Sequence, residues 1–132
     1  VSGLTMETSR RLTAVNSQGP IQLISQLFGK LKDSSQAGNK PFVLNITGVV
    51  AETPMMGMAA YCGSKTAIHG FLIALGKEWR REGIRVISAR PGHTETGLAS
   101  RAIAGKAPKF PAGMTTEHLV ARLVAAIEAD EK

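Results

Sequence analysis

A chain of 132 residues is one domain at most, and 43% hydrophobic with 20% charged residues describes a globular fold, which excludes a disordered segment. Sixteen basic against ten acidic residues give a formal +6, which admits an anionic partner, nucleic acid or a phosphate-bearing cofactor alike, without choosing between them. Cys62 has no partner for a disulfide, no run is long and apolar enough to span a membrane, and residues 1–15 lack a secretory core, so the expected setting is a soluble cytoplasmic protein.

Apolar residues recur at helical spacing from about Met6 to Lys32, at Leu12, Val15, Ile21, Leu23, Ile24, Leu27, Phe28 and Leu31, and predict a helix bent near Gly19 and Pro20. The polar run KDSSQAGNK (32–40) is expected to be a loop. PFVLNIT (41–47) is short, β-branched and nearly all apolar, as a strand buried on both faces is. A second helix is expected from roughly Met58 to Glu82, stopping at Gly83, followed by a second strand, IRVISA (84–89), which Pro91 and Gly92 break. Residues 93–114 carry Gly97, Gly105, Pro108, Pro111 and Gly113 and read as a mobile loop with at most one short helix around Leu98–Ala104. TTEHLVARLVAAIEADEK (115–132) closes the chain as a helix with Thr115 or Thr116 as N-cap.

The order helix, strand, helix, strand, helix suits parallel βαβ crossovers. Two strands make a poor sheet, and a parallel strand as apolar as PFVLNIT expects neighbours on each side. The pattern is therefore that of half of a doubly wound α/β domain: a partial, Rossmann-type parallel sheet, with residues 1–132 forming a single partial unit.

Within the second helix, Tyr61 and Lys65 lie four positions apart, about 40° around the axis, so a phenol and an ammonium can converge on one point. Taken alone, that spacing fits better an amphipathic helix whose tyrosine packs and whose lysine snorkels to water. Further segments change the balance: AVNSQG (14–19), VLNITG (43–48), YCGSK (61–65), GIRV (83–86) and RPGHTETGL (90–98). In that order, and across nearly the whole chain, they resemble the C-terminal, catalytic half of the short-chain dehydrogenase/reductase family.

The resemblance implies hydride transfer between NAD or NADP and an alcohol or carbonyl compound, with Tyr61 as the acid/base. A phenol with an ordinary pKa near 10 is a poor base at neutral pH. An ammonium about 4 Å away, at an effective dielectric near 20, favours the phenolate by on the order of 4 kcal/mol, roughly three pKa units before desolvation subtracts. Lys65 is thus implied to lower the phenol's pKa and to hold the nicotinamide ribose. Asn16 matches an asparagine that helps order a proton-relay water, and the turn after Pro91 and Gly92, with Thr94 and Thr96, matches the segment that fixes the nicotinamide carboxamide. Read from the residues alone, Asn16 is equally a helix-kink asparagine, and 91–96 a strand-ending turn with surface threonines. His93 and Glu95 in that turn face either substrate or solvent.

Two departures from the family pattern bear on activity. The family's serine position, thirteen residues before the tyrosine, is Gly48 here, which leaves the adjacent Thr47 as the candidate hydroxyl if the strand end turns it inward. Ile87 also stands where members commonly carry an asparagine. The second departure is that no glycine is followed by another two positions later, so the sequence holds no G-x-G phosphate-binding loop, and only the nicotinamide end of the cofactor could be gripped. The chain is expected to be a fragment, a shortened paralogue or one half of a docked pair, inactive alone; the alternative is a non-enzymatic oligomerisation or binding module. Lys77, Arg80, Arg81 and Arg85 raise a nucleic-acid reading, but cations in a helix's last turn follow from its dipole, so none is expected. Tyr61, Lys65, Ile68, Leu72, Leu75 and Trp79 share a stripe assigned to the sheet and the site. Ala60, Ala67, Phe71 and Ala74 form a neighbouring stripe of mostly small residues that suits a helix-mediated dimer.

Overall fold

The computed structural model describes residues 3–131. Helix α1 (Met6–Thr13) starts at Thr5, whose side-chain oxygen accepts from the Thr8 N–H, and runs through a π-helical turn, Ala14–Gln18, into α2 (Gly19–Gln36). The π turn has a chemical cause. Pro20 has no N–H to give the Asn16 carbonyl, and the Gly19 N–H reaches back five residues to Ala14. A Cβ at Gly19 would sit 3.2 Å from the Ala14 carbonyl oxygen, so glycine suits the close approach. Helix α2 continues to Gln36, one turn beyond the sequence estimate, because residues 32–36 carry no breaker and Gly38, with φ 86°, supplies the stop.

Strands β1 (Phe42–Ile46) and β2 (Arg85–Ala89) pair in parallel, Phe42 opposite Arg85 and Ile46 opposite Ala89. Between them runs α3 (Ala59–Trp79), extended by a 3₁₀ turn, Arg80–Glu82, and ended by Gly83 in the left-handed conformation (φ 69°, ψ 19°). The expected short helix in the 93–114 loop is reduced to a 3₁₀ turn, Leu98–Arg101. Helix α4 (Thr116–Glu128) is capped by Thr115, whose Oγ1 accepts from His118 N–H. The Arg85 guanidinium on β2 donates to the Ile127 carbonyl and sits against the Asp130 carboxylate, tying the end of α4 to the sheet.

The core lies between α2, α3 and the sheet: Ile24, Ile68, Leu72, Leu75, Trp79 and Ile84 are buried together, and the rings of Phe28 and Trp79 are 5.1 Å apart. The stripe expected to face the sheet does so from Ile68 to Trp79. Both strands are paired on one side only, and Phe42 and Ile46 remain 40% and 47% exposed, although their composition suits full burial. Among the described residues, no helix is long and apolar enough to cross a membrane.

Candidate active site

The first two turns of α3 carry Tyr61 and Lys65, and three sets of contacts fix them. Asn16 Nδ2 donates to Ser64 Oγ at 3.0 Å, Ser17 Oγ donates to the Ser64 carbonyl at 2.6 Å, and Ser64 Oγ donates to the Tyr61 carbonyl at 2.7 Å. The π turn of the first helix thus grips the turn between tyrosine and lysine. Thr66 Oγ1 donates to the Ala51 carbonyl at 3.0 Å, holding the same turn to the loop after β1. Lys65 Nζ donates to the Ile46 carbonyl at 3.3 Å, at the end of β1, and stands 5.8 Å from the centre of the Tyr61 ring. Ser17 and Ser64 were not singled out from the sequence, because a serine pair spanning 47 positions leaves no local pattern.

Electrostatically, burial dominates. It pushes the Tyr61 phenol above its ordinary value, with the Cys62 thiolate adding when ionised, and pushes the Lys65 ammonium below its own. The ammonium lies over the ring and donates to the Ile46 carbonyl, so in this chain desolvation outweighs the lowering expected from Lys65.

Thr47 is 1% exposed, and its hydroxyl lies 3.0 Å from both Ser88 Oγ and the Ala89 carbonyl oxygen, so its bonding is directed into the sheet. Gly48 has φ 89° and ψ 154°, a conformation that a serine adopts only under strain. The strand ends are stitched across the site: Thr47 N–H donates to the Ala89 carbonyl at 2.9 Å and Val49 N–H to the Pro91 carbonyl at 2.9 Å. Gly92 is exposed beyond them. The Thr94 hydroxyl donates to the Gly92 carbonyl at 3.2 Å, and Thr96 Oγ1 accepts from Leu98 N–H at 3.3 Å, so both hydroxyls close local turns. The loop folds back at Thr94, which bridges to Met114. The His93 ring stacks on Phe110 at 4.6 Å, while Glu95 accepts from Gly113 N–H at 2.8 Å. A cleft of about 540 Å³ opens among His93, Glu95, Ser100, Lys106 and Phe110; Tyr61 is not in its wall.

The family model for short chain dehydrogenases matches residues 1–107. The chain belongs to the short-chain dehydrogenase family. It is 30% identical over 96 residues to the 3-hydroxyacyl-CoA dehydrogenase type-2 of Mus musculus, covering 71% of this chain and 37% of that protein. To the Drosophila melanogaster protein of the same name it is 26% identical over 130 residues, covering 92% and 51%. The chain thus spans about half, or less, of the length of these curated relatives. Among solved structures, a short-chain dehydrogenase from Sphingobium yanoikuyae in complex with NADPH superposes with a TM-score of 0.81 at 26% identity, over 97% of this chain and 48% of that one. The 3-ketoacyl-(acyl-carrier-protein) reductase from Brucella melitensis complexed with NADH shares the fold with a TM-score of 0.81 at 20% identity, over 93% and 51%.

Proposed function

We propose that this chain is the catalytic half of a nicotinamide-dependent short-chain oxidoreductase. It would act on a small alcohol or carbonyl compound, its cofactor site completed by a glycine-rich half outside residues 1–132. One observation carries the reading: Tyr61 and Lys65 share a face of α3 at the carboxyl end of a parallel strand, where open α/β sheets bind ligands, with the ammonium anchored on the Ile46 carbonyl. The residues present suit the nicotinamide end of NAD or NADP. The space beyond the strand ends is bordered by Gly48, Pro91 and the exposed Gly92, and Lys65 Nζ has donors beyond the one given to Ile46. The NADPH and NADH complexes of the related structures support a nicotinamide cofactor without choosing between the two.

A nicotinamide held there supplies or accepts the hydride. Tyr61 gives the proton to the substrate oxygen in reduction and takes it in oxidation. Lys65 orients the pair and holds the ribose. Asn16 acts through Ser64, keeping the turn between them in place. Thr94 and Thr96 shape the turn at the cofactor's edge, and Thr47 serves the sheet in preference to the substrate.

A second reading, an oligomerisation or binding module without turnover, draws on Gly48, which removes the family's hydroxyl. For either reading, self-association is proposed through the small-residue stripe of α3, where Ala67 and Ala74 are exposed, and the open face of α2 at Leu23 and Leu27. The test is restoration. Joined to a glycine-rich nucleotide-binding half from a relative, the chain should reduce carbonyl compounds with NADH or NADPH, whereas a joined protein that binds cofactor but turns nothing over would favour the module. Alone, the chain should show no saturable NADPH binding below about 1 mM, since the pyrophosphate contacts lie outside it.

A further inference from the structure

Beside the Tyr61–Lys65 pair runs a second chain of polar contacts. His69, one helical turn beyond Lys65 on α3, is 7% exposed, and both of its ring nitrogens are engaged. Nδ1 lies 3.0 Å from Ser88 Oγ on β2, and Nε2 lies 3.5 Å from Glu52 Oε1 in the loop after β1. Arg90 Nε stands 3.0 Å from the same Glu52 oxygen. On the other side Ser88 Oγ meets Thr47 Oγ1 at 3.0 Å. The Thr47 hydroxyl gives its one proton to the Ala89 carbonyl, so within the row Ser88 Oγ donates to Thr47 Oγ1 and accepts from His69 Nδ1–H, while the Glu52 carboxylate lies within ion-pair distance of Nε2. It runs from Arg90 through Glu52, His69 and Ser88 to Thr47, the residue after Ile46, whose carbonyl accepts from Lys65 Nζ.

Lys65 and His69 are an i, i+4 pair on one face of α3. Each anchors its turn of the helix to the strand ends, Lys65 on β1 and His69 on β2. A structural side chain needs only to fill this volume. An imidazole here also partners Ser88 Oγ, which an apolar replacement would leave with Thr47 alone in the interior.

We propose that His69 is a positioning residue, which through Ser88 and Thr47 fixes the Lys65 turn of α3 against the ends of β1 and β2 and so holds the Tyr61–Lys65 pair in place. The proposal rests on the reading of Tyr61 and Lys65 as the reacting pair, but its test needs no turnover. Tyr61 is the chain's one tyrosine, so ultraviolet difference absorbance follows its phenolate alone. In the parent chain the titration is expected above the ordinary phenol value, because burial disfavours the phenolate. His69→Asn, which keeps a polar group near the Nδ1 position, leaves it there. His69→Leu, similar in volume but unable to partner Ser88, loosens the turn, hydrates Tyr61 and moves the titration down toward the ordinary value. Ser88→Ala breaks the same link from the strand side and serves if His69→Leu does not fold. If the Leu and Ala variants fold and Tyr61 titrates as in the parent, His69 only packs, and the proposal is wrong. Failure of the oxidoreductase reading would appear separately, as absent turnover with the titration shifts intact.

Discussion

Gly48 occupies the position at which the family carries a serine, and its backbone, φ 89° and ψ 154°, lies in a region nearly reserved for glycine. A Cβ built there meets nothing nearer than the Pro91 carbonyl oxygen and Val50 Cγ2, each at 3.8 Å, so space is available and the cost of a side chain is conformational. That cost is about 1–3 kcal/mol. Replacing glycine also stiffens the unfolded chain, which offsets about 0.4–1 kcal/mol of it. Gly48→Ser and Gly48→Ala should therefore each lose roughly 0.5–2 kcal/mol, equally, because the hydroxyl is not the source. Trp79, the chain's one tryptophan, is buried against Phe28 and reports unfolding by fluorescence. With a urea slope of about 2 kcal/mol/M, the midpoint should fall by about 0.3–1 M. Gly92→Ala is the control: with no positive φ and nothing within 4 Å of the added Cβ, it should change stability by less than about 0.5 kcal/mol. An unchanged or raised midpoint in Gly48→Ala would refute the reasoning, since the backbone would then relax freely and conformation would not explain the missing serine.

Ile68, 0% exposed at the centre of the core, should cost about 2–5 kcal/mol on truncation to alanine, read by the same urea titration. Because burial raises the Tyr61 pKa, the folded state holds the phenol's proton longer than the unfolded state does. The resulting stability is complete below about pH 10 and is lost as pH climbs through the folded value, so parent midpoints should fall more steeply between pH 9 and 11 than those of Tyr61→Phe. Lys65, lowered by burial, acts with the opposite sign, and Lys65→Met should steepen that fall. Light scattering at micromolar concentration should find a dimer or larger species; a stable, folded monomer of 14.0 kDa would count against both the α3 interface and the half-domain reading.

The element order and the facing of α3 were legible in the sequence because apolar periodicity and glycine or proline punctuation encode them locally. Gly83 ends α3 as expected, and Ile68, Leu72, Leu75 and Trp79 are buried as their spacing implies. The bend of the first helix was legible at Pro20, but its form as a π turn depends on which carbonyl the Gly19 N–H reaches, a choice among geometries that composition does not encode. The Tyr61–Lys65 pairing followed from helical spacing, whereas the sign of the phenol's shift did not, because it depends on how much water the fold excludes. Thr47 shows the limit most clearly. Its place next to Gly48 suggested a substitute hydroxyl, yet its partners, Ser88 and Ala89, lie 41 and 42 positions away, across a strand pairing that only the folded sheet creates.

The central claim is that Tyr61 moves the substrate proton, and the most direct measurement is turnover of Tyr61→Phe in a protein that joins this chain to a glycine-rich nucleotide-binding half. Removing the hydroxyl while keeping the ring should lower kcat by about 10²–10⁴-fold, the usual weight of a general acid or base, and leave the Kd for the nicotinamide cofactor nearly unchanged, whereas Lys65→Ala should damage both. A kcat for Tyr61→Phe equal to the parent's would contradict the account and leave Tyr61 and Lys65 as a packed tyrosine and a snorkelling lysine on an ordinary amphipathic helix.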